Sequence, residues 1–168
     1  MESKSTILRH RGKIYSLNEV TNIQIPLNEF ENKIIEARLN DVSFCQIDEN
    51  KLRWHIDQIM LKGAAISGCP LPNTEFFADV ISDEVKAFIL EFGYEELTYS
   101  EIILAMRANS KGGLKYPTGI ELDQVTFFGN CFNIDYFAKV ISNYMAMRNI
   151  LDRKLQNFID GNVCTVKE

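Results

Sequence analysis

The chain has 168 residues and a formal net charge of −5, from 18 Lys and Arg against 23 Asp and Glu. Apolar residues make up 46% and charged residues 24%, the balance of an ordinary globular protein of one domain with a real core. No apolar run reaches the roughly 18–20 residues that span a bilayer, and the N-terminus lacks the charged, apolar and small-residue blocks of a secretory signal.

The expectation is therefore a cytoplasmic chain with no membrane partner. Its four cysteines, Cys45, Cys69, Cys131 and Cys164, contain no C-x-x-C pair and read as reduced thiols. The two histidines, His10 and His55, lie in different segments at no zinc-ligand spacing, so no metal is expected.

Residues 1–26 read as a basic N-terminal arm. Lys4, Arg9, Arg11 and Lys13 face only Glu2 in the first thirteen positions. Ile14 to Ile25 mixes β-branched residues with Asn and Ser, which suits a short strand, a hairpin or an extended arm. Pro26 closes this stretch, because the residue before a proline is pushed out of the helical region.

Residues 27–161 read as a mainly α domain of about five helices. A first helix is expected near Asn28–Leu39, capped by Asn28, with Phe30, Ile34 and Ala37 on one face. After a loop, a second runs near Glu49–Ala65 on a stripe of Leu52, Ile56, Ile59 or Met60, and Gly63. Ser67, Gly68, Pro70 and Pro72 end it. The third, near Glu75–Phe92, is capped by Asn73 or Thr74 and stopped by Gly93. Phe77, Val80, Ile81, Val85, Phe88, Ile89 and Phe92 trace its apolar stripe.

Leu97-Thr98-Tyr99-Ser100-Glu101 is a capping box with a preceding hydrophobic residue, which starts a short fourth helix to about Ala108. Ile102, Ile103 and Met106 point inward. Periodicity fails between Asn109 and Cys131, where turn chemistry dominates and Gln124–Phe128 is the candidate strand. The last helix is the longest, near Ile134–Asp160, with Asn133 as its cap and Gly161 as its end. Phe137, Val140, Ile141, Tyr144, Leu151, Leu155 and Phe158 form its stripe, interrupted by Arg148. Residues 162–168 form a C-terminal tail. A minor β element is expected in the N-terminal arm or in the 109–131 loop.

Tests for catalytic chemistry mostly fail. There is no phosphate-cradling G-x-x-x-x-G-K-[ST], no G-x-G-x-x-G, no H-E-x-x-H and no G-x-S-x-G. Cys131 precedes a helix, where a thiol can be activated, but no base adjoins it and a free Cys is commonly an apolar filler. Cys131 with His55 or a nearby carboxylate is the strongest catalytic set, and it carries no visible acid/base constellation. No enzyme activity and no cofactor are expected. His55 beside Trp54 reads as packing rather than ligation.

Two charge features suggest binding. Residues 75–101 hold eight acidic residues and the single base Lys86. This is an acidic helix face, which reads as solvated surface or as a docking surface for a basic partner. Glu84, Glu91, Glu95 and Glu96 are its interface candidates, joined by Arg148 in the last helix, which snorkels, pairs with a carboxylate or faces a groove. Conversely, Arg107, Lys111 and Lys115 fall in a stretch without acids beside Tyr116. With Arg9 and Arg11 of the arm, they are the candidates for contact with a nucleic-acid backbone.

Residues 68–150 resemble small α-helical phage or mobile-element replication-accessory proteins of the helicase-loader-like type. The resemblance is carried by Pro70-x-Pro72 and by Leu97-Thr98-x-x-Glu101-Ile102-x-x-Ala105 at a helix start. After the loop it continues through Phe132 and a long helix with Tyr136, Phe137, Tyr144 and Arg148. The missing nucleotide-binding loop sets the chain apart from the ATPase loaders. The resemblance implies a non-enzymatic adaptor that binds a replication protein such as a replicative helicase, with DNA contact through the basic loop. The rival expectations are an inhibitor or regulator of a host enzyme that acts through the acidic face, and a virion or assembly component with Phe127 and Phe128 as a packing edge.

Overall fold

The computed structural model describes residues 7–10, 13–16, 27–111, 114–115, 121–122, 124–125 and 131–165, with side chains for 27–111, 124–125 and 131–157. Among these residues the chain is mainly α. Its helices are α1 (Glu29–Asn40), α2 (Glu49–Ser67), α3 (Glu75–Glu91), α4 (Tyr99–Ser110) and α5 (Ile134–Thr165). No helix among them is long and apolar enough to cross a membrane.

The helix starts are set by local chemistry. Asn28 accepts from the backbone N–H of Glu31, and Glu31 accepts in return from that of Asn28, a reciprocal cap. Thr98 and Glu101 repeat this at α4. Thr74 caps α3 through Phe77, and Asn133 caps α5 through Tyr136. At the other ends, Gly68 and Gly93 adopt φ of 71° and 86°, the left-handed conformation that lets the chain leave α2 and α3.

Helix α4 lies at the centre, packed against α1, α2 and α5, while α3 packs on α2 and α5. Ile102, Ala105 and Met106 of α4 are fully buried, as are Ile34, Ile56, Ile59, Phe132, Phe137 and Tyr144 around them. The α2–α4 contact is close because Gly63 has no side chain. A Cβ there would lie 2.7 Å from Met106 Sδ and 2.9 Å from Phe132 Cε2. A 3₁₀ turn, Phe44–Gln46, follows α1 and is tied to the segment before α4 by Phe44 N to Leu97 O (3.0 Å) and Cys45 N to Glu95 O (2.9 Å).

Two short antiparallel ladders accompany the helices. Strand β1 (Ile7–His10) pairs with β2 (Lys13–Ser16), and β3 (Leu114–Lys115) pairs with β4 (Glu121–Leu122).

Three expectations are corrected. The segment Gln124–Phe128 does not begin as a strand: Gln124 and Val125 are non-repetitive, and positions 126–128 lie outside the described residues. Instead, the Asn109 side chain takes the place of a strand partner, accepting from Val125 N (2.8 Å) and donating to Val125 O (3.1 Å). Gly161 does not end the last helix, which continues to Thr165. An interior glycine costs about 1 kcal/mol relative to Ala but does not by itself break the hydrogen-bond ladder. Finally, Phe77, Val80 and Phe92 do not join the core stripe of α3. They are exposed, and burial falls on Ser82, Val85 and Ile89, a narrower strip of the same helix.

Candidate functional site

The interior of the bundle carries charge. Glu101 of α4 is fully buried, and its two oxygens accept from three donors. Oε2 takes Thr98 N (2.9 Å), while Oε1 takes Tyr144 Oη (2.8 Å) and Arg148 Nε (2.7 Å). Arg148 Nη1 lies 3.8 Å from Asp152 Oδ2, and Asp152 Oδ1 accepts from Arg38 Nη1 at 2.7 Å. Two arginines and two carboxylates thus alternate across α1, α4 and α5, and the set is neutral. A third buried carboxylate, Glu31, accepts from Lys154 Nζ at 2.9 Å.

Burial pushes the Tyr144 phenol well above its ordinary range, and the charge and hydrogen bond of Glu101 push it the same way. Burial alone would lower Arg148, but Glu101 and Asp152 outweigh it and hold the guanidinium above its ordinary value. With both oxygens of Glu101 engaged, this cluster holds helices together rather than moving protons.

This settles the place of Arg148, which sequence reasoning put among the interface candidates. It is a core residue paired with Glu101, on the inner wall of a cleft of about 400 Å³ that also includes Glu96, Asn149 and Arg153. The signal in the sequence was the spacing Tyr144, Arg148, Asp152, which places three polar groups on one helical face.

The other interface candidates lie on α3 and the turn after it. Glu84, Glu91 and Glu96 are exposed, and Glu95 is half-buried with Oε2 shielded from solvent and without a hydrogen-bond partner. Beside these acids, α3 and its C-cap Phe92 expose large apolar side chains: Phe76 (73%), Phe77 (59%) and Phe92 (69%), with Val80 and Leu90. The neighbouring α2 exposes Trp54 and Leu61. Asp79 and Asp83 are partly neutralised by Arg53 of α2, at 2.7 and 3.1 Å.

The basic candidates converge elsewhere. Arg107 and Lys111 line a groove of about 630 Å³ between α1 and α4, together with Lys33 of α1 and Lys62 of α2. Glu36 is the single acid of its lining, and Phe30 and Tyr99 are its aromatics. Lys62 Nζ sits 5.2 Å from the centre of the Tyr99 ring. The sequence showed Arg107 and Lys111 but not Lys33 and Lys62, which come from helices distant along the chain. Of the remaining candidates, Lys115 and Arg9 have backbones in β3 and β1, with side chains outside the described residues. Arg11 lies outside them altogether, as do Phe127 and Phe128.

The thiols and His55 stand apart. Cys69 is buried and Cys131 half-buried. His55 Nδ1 bonds to Lys51 O (2.8 Å), and the ring meets Trp54 and Tyr99 edge-on. No hydrogen bond joins His55 to Cys131 among the described residues. No group of three or more His, Cys, Asp or Glu among those residues is placed to hold a metal ion.

Compared with known proteins, the chain matches no family model, no curated protein and no solved structure.

Proposed function

We propose that this chain is a non-enzymatic adaptor that docks onto another protein through the outward face of α3. The observation that carries this reading is the set of large apolar side chains exposed along α3 and its C-cap, Phe76, Phe77 and Val80 near the start and Leu90 and Phe92 at the end, interspersed with the exposed Glu84 and Glu91. Exposed large apolar side chains interspersed with charge are the composition of an interface rather than of idle surface. The acids select a partner surface that carries basic groups among apolar ones. The resemblance of residues 68–150 to phage or mobile-element replication-accessory proteins makes a replicative helicase the expected partner. Inhibition by mimicry of nucleic-acid charge is supported less, because Arg53 offsets Asp79 and Asp83 and large apolar side chains are exposed among the acids.

The test is affinity purification of the tagged chain from its native cells, with half the sample treated with nuclease. A replication protein retained after nuclease, and lost with a Phe76→Ser, Phe77→Ser variant, is the expected result. Recovery of a host nuclease, polymerase or defence protein would replace the adaptor reading with the inhibitor reading. Recovery of the chain alone at large size would replace it with an assembly role.

A further inference from the structure

We infer that the groove between α1 and α4 is a binding site for the phosphodiester backbone of single-stranded nucleic acid. The argument begins with charge. In a chain of net charge −5, most buried or bridging cations have a carboxylate: Arg38 has Asp152, Arg148 has Glu101, Lys154 has Glu31 and Arg53 has three aspartates. In the groove, Lys62, Arg107 and Lys111 have no carboxylate within ion-pair distance among the described residues, and Lys33 has only the exposed Glu29 at 3.5 Å. Such an exposed pair is worth little and yields readily to a stronger anion.

The carbonyls at the end of α4 do not need these side chains. The backbone N–H of Lys111 already donates to Ala108 O and Asn109 O. The cationic groups are therefore available to a ligand, and they converge on one concave feature.

The shape and the apolar lining narrow the ligand. Lys33 stands on the α1 bank, while Arg107 and Lys111 stand on the α4 bank and its end. Charges on both banks surround a single strand, whereas the convex face of a duplex meets only one bank. Between them lie the buried Ile103 and half-buried Leu104 and Phe30, an apolar surface suited to sugars and bases. An acidic peptide would satisfy the cations but would leave this surface without a role. Cations interleaved with aromatic and apolar side chains are the pattern of a strand-binding channel. The site uses no residue of α3, so it stands independently of the adaptor reading.

The experiment is fluorescence anisotropy of the full chain with a labelled oligothymidylate of about 12 nucleotides, set against a duplex and against polyglutamate. With about four phosphates neutralised, the logarithm of affinity should fall against the logarithm of salt with a slope of about −3. The Arg107→Ala, Lys111→Ala variant should lose about tenfold or more in affinity and about half of that slope. Lys33→Gln, at an exposed position, repeats the test by a second route. Lys86→Ala with Arg153→Ala, exposed or half-exposed cations outside the groove, should leave binding unchanged. The inference is overturned by absence of oligonucleotide binding at low salt, by equal or tighter binding of duplex or polyglutamate, or by equal losses in the groove and control variants.

Discussion

Glu101 illustrates what a single buried carboxylate does in a helical bundle. Its backbone-facing oxygen closes the cap of α4, and its other oxygen holds Arg148 and Tyr144 of α5. Removing it leaves the buried Arg148 guanidinium with only Asp152 at 3.8 Å, a carboxylate already engaged by Arg38, and breaking a buried pair from one side costs about 3–5 kcal/mol. Glu101→Ala should therefore lose that much in urea unfolding, while Glu101→Ala with Arg148→Leu should lose markedly less, because no charge is left unpaired. Equal losses in the two variants would show that the cap, rather than the ion pair, carries the effect.

Tyr144 gives the pH signature of the same cluster. Its folded pKa lies above its unfolded value, so the native state keeps the proton after the unfolded state has released it. The stability this contributes is complete below the unfolded value of about 10 and is lost as pH rises beyond it. Unfolding followed through this alkaline range should show the decline in the native protein, and Tyr144→Phe should remove that component. An unchanged alkaline profile in the variant would place the proton loss elsewhere.

At the scale of elements, Gly63 decides how closely α2 approaches α4. Alanine is a better helix former by about 1 kcal/mol, but overpacking costs about 1–3 kcal/mol where the neighbours cannot move. Phe132 and Met106 are both fully buried, so the packing term should win. Gly63→Ala should lower the thermal midpoint by about 2–4 °C for each kcal/mol lost. A raised midpoint would mean that Met106 swings aside.

The helices themselves were legible because their signals are local. Asn28, Thr74, Thr98 and Asn133 mark four of the five starts, and Gly68 and Gly93 mark two of the ends. The sequence pattern misled on α3, where Phe77, Val80 and Phe92 continue an apolar stripe wider than the surface its neighbours cover. That excess is the exposed apolar surface on which the docking proposal rests. The groove was half legible, since Arg107 and Lys111 share one acid-free stretch, whereas Lys33 and Lys62 join them only through packing. The role of Arg148 was one of several open readings until Glu101 was placed opposite it across the α4–α5 contact.

Across the whole molecule, the two proposed binding surfaces and the charged interior use different side chains. The charged core uses α1, α4 and α5; the groove uses α1, α4 and one lysine of α2; and the exposed apolar side chains lie mainly on α3. Substitutions on surfaces that share no partners add rather than couple, within about 0.3–0.5 kcal/mol. The Phe76→Ser, Phe77→Ser variant should therefore keep the oligonucleotide affinity and salt slope of the native chain. In turn, the Arg107→Ala, Lys111→Ala variant should retain its protein partner after nuclease treatment. A chain carrying all four substitutions should lose both activities by the amounts measured singly, with its unfolding midpoint in urea nearly unchanged, because all four side chains are exposed. Loss of the partner on substituting the groove alone would mean that nucleic acid or a shared surface bridges the two sites, and that α3 is not the independent dock assigned to it.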